Sequence, residues 1–188
     1  MRDGRPREGR LHRGAVLAQE SGMPHVLLES PSERALTFRV GNSAQALAIK
    51  PVVLNHFRKH QQKRWFHREA GGQLFARFSP VEVAVEAATG PRKSDFRTRT
   101  SYVPDPRGEQ QEINDWHKKG LHYVGDWHTH PEPRPRPSRN DSESIKDSFR
   151  KSKHHLNGFL LIIVGTDPFP SGLYVSLSDG RSELIVNG

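Results

Sequence analysis

The sequence predicts one α/β domain built on a single curved, mixed but mostly antiparallel β-sheet flanked by helices. Three observations carry this. Short segments of period-2 alternation are interleaved with three longer segments of helical period. The longest apolar run, Phe159-Leu-Leu-Ile-Ile-Val164, is strand length and far short of the about 18 residues of a membrane span. The length of 188 residues suits one domain, or one domain plus a tail.

Residues 1–22 are rich in Arg and Gly with little to bury, so they read as a flexible basic tail. The domain is expected over residues 23–188, with Met23 an alternative start. Ala35 to Val40 alternates apolar and polar and reads as a half-buried strand. Ile49 to Gln62 reads as a helix: Pro51 suits a first turn, and Val53, Leu54, Phe57 and His60 follow helical spacing. Ala70-Gly-Gly72 breaks that pattern. Strands follow over Gln73–Phe78, with Leu74, Ala76 and Phe78 on one face, and over Val81–Ala87. Gly90-Pro91 marks a turn. A basic loop runs to about Arg97, and Thr98 to Val103 reads as a short strand. Gly108 to Lys119 is a helix with Ile113 and Trp116 on one face, ended by Gly120. Leu121 to Trp127 is a strand running into a pair of histidines. Ser138 to Lys153 opens with an N-cap residue and carries Ile145 and Phe149 at i, i+4. Strands at 158–165, 172–178 and 182–186 close the chain.

Composition narrows the chemistry. There are no cysteines, which removes disulfides, thiolate metal sites and a Cys nucleophile. A transition metal here would need His and carboxylate ligands, and eleven histidines are available. The basic N-terminus lacks the apolar segment of a secretion signal, so a cytoplasmic location is expected. Hydrophobic residues make up 33% and mean hydropathy is −0.77, lean for a packed core, which fits part of the length being tail or loop. Net charge is +8, and its distribution is uneven. Lys50, Arg58, Lys59, Lys63, Arg64 and Arg68 fall in one segment that holds no acid. That segment reads as a solvated face, an acidic-partner surface or, with no accompanying motif, less well as a nucleic-acid site.

The chemistry concentrates in the run HTHPEPRPRPSRND. His128 and His130 are two apart at a strand end, which puts both imidazoles on one face. Asp141 opens the following helix. Four prolines between them restrict the path of the connecting loop. Two imidazoles and one carboxylate leave a fourth zinc position free, the mark of a catalytic rather than a structural site. Such a site needs a proton acceptor, and Glu69, with Gly71 and Gly72 behind it to permit close backbone approach, is the candidate. Ser138 caps the helix and could also donate to a developing oxyanion. Trp127 is placed on the wall of the site, where it would meet substrate, and Arg134 and Arg136 on its rim. Asp126 could orient a ligand histidine or lie in solvent. Thr129 points away and reads as strand packing.

Glu69-x-Gly-Gly-x-Leu74, then His128-Thr-His-Pro131, then Ser138-x-x-Asp141, resembles the JAMM (JAB/MPN) metalloprotease family, over roughly residues 36–188. The resemblance implies an MPN-type, cytidine-deaminase-like layout. It implies Zn2+ held by His128, His130 and Asp141, Glu69 as base and later proton donor, and Ser138 at the oxyanion. The implied activity is isopeptidase or peptidase cleavage after the C-terminus of a ubiquitin-like modifier. Spacing and Trp127 look most like compact bacterial JAB deconjugases of antiphage defence operons. Implied partners are the modifier's tail or its conjugates and the activating and conjugating enzymes; no membrane partner is expected, and nucleic acid is the less favoured one. A metal-free MPN scaffold, or a hydrolase acting on a sulfur-carrier protein adduct, stay open as alternatives.

Overall fold

Alternation and helical period translate into three layers. The computed structural model describes residues 34–186; the expected tail and the Met23 start lie outside the described residues. Strands β1 (Leu36–Arg39) and β2 (Ala46–Ile49) lead into helix α1 (Pro51–His60). Then come β3 (Gly71–Phe78), β4 (Glu82–Ala88), the short β5 (Phe96–Arg97) and β6 (Tyr102–Val103), and helix α2 (Pro106–Lys118). Strand β7 (His122–Thr129), helix α3 (Arg139–Lys151), β8 (Phe159–Val164), β9 (Leu173–Ser178) and β10 (Glu183–Ile185) complete the order. Eight strands form one sheet in the order β1-β2-β4-β3-β7-β8-β9-β10. Only β2–β4 and β7–β8 are parallel; the other pairs are antiparallel, as expected of a mixed sheet.

The two faces of the sheet bury different helices. On one, Val53, Leu54 and Phe57 of α1 meet Leu74, Ala76, Val85, Trp127, Leu160 and Ile162. On the other, Ile145 of α3 packs on Phe159, Leu161 and Ile163, and Ile113 and Trp116 of α2 pack on Phe75. The all-apolar β8 is buried at every position because each of its faces carries a helix. Burying one such side chain contributes about 1.5–3 kcal/mol, so this strand anchors both layers.

Two elements differ from expectation. Ile49 belongs to β2, which the helix reading absorbed; Ala46-Leu-Ala-Ile49 pairs with β1 and β4, and the helix starts only at Pro51. Residues 98–103 are not one strand. The segment turns back on itself, pairing Phe96 with Val103 and Arg97 with Tyr102 in a separate two-stranded ribbon. Among the described residues no helix is long and apolar enough to cross a membrane.

Candidate active site

Three separate segments converge on the α2/α3 face of the sheet at the C-terminal end of β7. The first is β7 itself. Trp127 faces α1, so alternation turns His128 to the opposite face, and His130 follows two residues later. Their Nε2 atoms lie 3.2 Å apart. The second is the start of α3. Ser138 is its N-cap, and a capping box forms: Ser138 Oγ accepts from Asp141 N at 3.2 Å, and Ser138 N donates to Asp141 Oδ2 at 2.6 Å. This box aims Asp141 back at the histidines. Its Oδ1 is 3.3 Å from His128 Nε2 and its Oδ2 is 3.5 Å from His130 Nε2. The proline-rich connection is held against the loop after β8, through Thr166 N to Glu132 O at 2.9 Å and Asp167 N to Pro133 O at 3.1 Å.

The third segment brings Glu69, which sits in the connection before β3 rather than on a strand. The backbone of Glu69 is pinned by two bonds: its N donates to Thr98 O at 2.7 Å, and its carbonyl accepts from Arg97 Nε at 2.6 Å. Behind it the sheet has no room for a side chain. A Cβ on Gly72 would overlap the Thr89 carbonyl, and one on Gly71 would come within 2.6 Å of the Tyr102 ring. The two glycines thus perform the close approach expected of them. One oxygen of Glu69 and one ring nitrogen of each histidine fall within 4.8 Å of one another.

The separations of 3.2, 3.3 and 3.5 Å among His128, His130 and Asp141 can be tested against a metal. Zinc bonds of about 2.0–2.1 Å at tetrahedral angles put neighbouring donors about 3.4 Å apart. The three residues offer the donor types of a metal site, and their contacts, which use both Asp141 oxygens, are of the size a shared metal ion is compatible with. A Glu69–His128–His130 grouping is looser. Asp141 approaches both rings, Oδ1 towards His128 and Oδ2 towards His130.

Electrostatics supports the same division of labour. Burial would raise the Asp141 carboxyl, but the His128 hydrogen bond and charge and the Ser138 contacts outweigh it and hold Asp141 well below the usual carboxylate range. Burial, then the charge of His128, lowers His130, which keeps it neutral and able to ligate. For Glu69 burial is the largest effect, only partly opposed by His128, and its pKa is raised. That is the direction a proton acceptor near neutral pH requires.

The remaining site residues divide. Ser138 lines the mouth of the cleft beside Glu69, His130 and Asp141. Trp127, expected on the wall of the site, is among the residues lining the cleft; it is 1% exposed, its indole ringed by Phe57 and His56 and donating through Nε1 to Thr89 O at 2.9 Å. Arg134 and Arg136, expected on the rim, are exposed, and Arg134 turns to Asp167 at 3.5 Å. Asp126 is half-buried, accepts from Tyr123 Oη at 2.9 Å, and is pushed up to about 6 by burial. Thr129, read as packing, does more. Its fully buried hydroxyl accepts from Ala70 N at 2.9 Å and donates to Gln62 Oε1 at 3.0 Å, which fastens the Glu69 segment to β7. The signal for this was a polar side chain on a core-facing strand position, which must find partners.

Comparison with known proteins identifies the family. Residues 50–175 match the family described as prokaryotic homologs of the JAB domain. The chain belongs to this prokaryotic JAB family. Within it, the chain is 30% identical over 140 residues to a CD-NTase/cGAS isopeptidase of Pseudomonas aeruginosa (strain BWHPSA011 / Pa011), covering 73% of this chain and 85% of that one. It is 35% identical over 103 residues to a CD-NTase/cGAS isopeptidase of Enterobacter hormaechei subsp. hoffmannii (strain UCI 50), covering 53% of this JAB chain and 57% of that protein. Matches thus span little more than half of some curated relatives. The solution structure of protein DSY2949 from Desulfitobacterium hafniense has the same fold, with a TM-score of 0.51, 19% identity, and coverage of 73% of this chain and 87% of that one.

Proposed function

We propose that this JAB-family chain is a zinc-dependent isopeptidase that cuts after the C-terminal residue of a ubiquitin-like modifier, or of a protein conjugated through its C-terminus in the same manner, within a bacterial antiphage defence system. The mutual contacts of 3.2, 3.3 and 3.5 Å that join His128, His130 and the two Asp141 oxygens, with Glu69 beside them, carry the reading. Relatives named CD-NTase/cGAS isopeptidase direct the substrate towards a CD-NTase conjugate.

His128, His130 and Asp141 would hold the metal. Zinc at this point would polarise the scissile carbonyl and acidify a water. Glu69 takes the proton at its carboxylate and hands it to the leaving amine; burial gives it the raised pKa this shuttle needs. Ser138 Oγ, already accepting from Asp141 N, keeps its own hydrogen free to donate to the oxyanion. The chain has no cysteine, and among the described residues no Ser hydroxyl pairs with a histidine, so the reading is direct hydrolysis without a covalent enzyme intermediate.

Metal analysis of purified protein, together with cleavage of a fusion through the CD-NTase C-terminus with and without chelator, tests this. Near-stoichiometric zinc and chelator-sensitive cleavage are expected. Zinc-free protein that binds the fusion without cutting it would instead establish a scaffold.

A further inference from the structure

The basic segment singled out in the sequence ends in a feature the cleavage chemistry does not use. Trp65 is 80% exposed and Phe66 is 55% exposed, on the connection between α1 and Glu69. They pack edge to face with ring centroids 5.8 Å apart. The Arg64 guanidinium lies 5.9 Å from the Phe66 ring centroid, and Phe66 also meets the His67 ring at 5.1 Å. The segment is firmly tied. Arg99 donates to Trp65 O, Gln62 Nε2 donates to Arg99 O at 2.8 Å and to His67 O at 3.3 Å, and His67 Nδ1 is 3.0 Å from Gln61 O. Two large aromatic rings are therefore presented to water by backbone that is held in place, where a core position would gain their burial.

Lys63, Arg64, Arg68 and Arg99 are exposed around them, and no acid lies between residues 50 and 68. Aromatic anchors ringed by arginine are the composition of an interface centre, and the charge selects an acidic partner. The position selects which partner. The turn at 98–101 bonds to this loop through Arg99 and, through Thr100 and Ser101, lines the mouth of the cleft. A folded body whose tail occupies the cleft comes to rest beside this turn. Nucleic acid fits less well: base stacking needs open ring faces, and Phe66 has its surroundings taken by Trp65, Arg64 and His67.

We infer that Trp65 and Phe66, with their basic surround, form the docking platform for an acidic surface on the folded protein whose C-terminal tail enters the cleft. This rests on the isopeptidase reading above. The test compares two substrates sharing one tail: a short fluorogenic peptide of a CD-NTase C-terminus, and the whole CD-NTase, from the same genome, fused through that tail to a reporter protein. The W65A/F66A variant should cleave the peptide at the unaltered rate, yet lose tenfold or more in kcat/KM on the whole fusion through KM. Arg64→Glu alone should weaken the fusion reaction and flatten its salt dependence. Equal losses on both substrates, or none on either, overturn the inference, since the loop would then be structural or idle. Loss of oligonucleotide binding in W65A/F66A with fusion cleavage intact also overturns it. Failure of the unaltered, zinc-loaded chain to cut either substrate overturns the isopeptidase reading, and the docking inference falls with it.

Discussion

At the scale of the residue, the site depends on a few side chains that each make a contact no neighbour can replace. Glu69→Gln keeps the shape of the carboxylate but removes the proton shuttle. The variant should bind zinc as the unaltered chain does and lose about 100-fold or more in kcat, a split that metal analysis beside steady-state kinetics would show. Near-normal turnover would reject Glu69 as the base. Thr129 acts one step back. Thr129→Val leaves the Ala70 N–H and the Gln62 carbonyl without their buried partner. Each unsatisfied group costs about 1–3 kcal/mol, and the Glu69 segment loses its side-chain tie to β7 while the Thr129 N to Ala70 O bond of 2.8 Å remains. Stability and kcat should both fall while zinc content holds; unchanged kcat in a folded variant would show that Glu69 is positioned without it. That His128, His130 and Asp141 come together was legible in sequence, because candidate ligands carry a pattern of residue type and spacing. Thr129 was legible only as an inward-facing polar residue, and the turning of the Trp127 indole towards α1 follows from its alternation with His128.

At the scale of the element, local signals and long-range pairing contend. Helix α3 was readable from Ser138 onwards because its cap, apolar spacing and basic last turn are all local. The hairpin of β5 and β6 was not, because the turn at 98–101 lacks a Gly or Pro mark, and β2 was not, because four apolar residues before a proline acquire strand character only by pairing with β1 and β4. Helix α2 carries a cost the sequence did not announce. Glu109 is turned under the helix towards Asp126, and burial first, then the Asp126 charge, pushes it up to about 7. A carboxyl whose folded pKa is raised favours the folded state below its unfolded value near 4.5 and loses that contribution as pH rises through about 7. Glu109→Gln has no proton to lose. It should be more stable than the unaltered chain above about pH 8, by roughly 1 kcal/mol after solvent screening, and no better near pH 4.5. Urea unfolding at the two pH values reads this directly, and a gain of equal size at both would show that the effect is not ionisation.

At the scale of the whole molecule, the sheet divides the chain into a structural side and a chemical side. The α1 layer holds the largest apolar cluster and buries Trp127, while the α2/α3 side leaves a polar cleft running past Glu69, His128 and Asp141. That cleft is assembled from segments far apart in sequence, the Glu69 connection, the end of β7 and the start of α3, and no strand pairs α3 to the other two. A metal bridging β7 and α3 therefore binds the folded arrangement and has no comparable site in the unfolded chain. Ligand binding of that kind adds about 2.7 kcal/mol of stability when free zinc is 100 times its dissociation constant. For a domain of this size that raises the thermal midpoint by roughly 5–10 °C. The shift should vanish on chelation and be absent in His128→Ala. On the proposed ligand set of His128, His130 and Asp141 it should persist in Glu69→Gln. It should also weaken in acid, since each ligand must give up its proton to bind; the lowered pKa values of His130 and Asp141 delay that loss. Differential scanning calorimetry with zinc and with chelator measures all of these. An equal midpoint in both conditions would mean that β7 and α3 are held by packing alone, and a shift lost in Glu69→Gln would move Glu69 from proton shuttle to ligand.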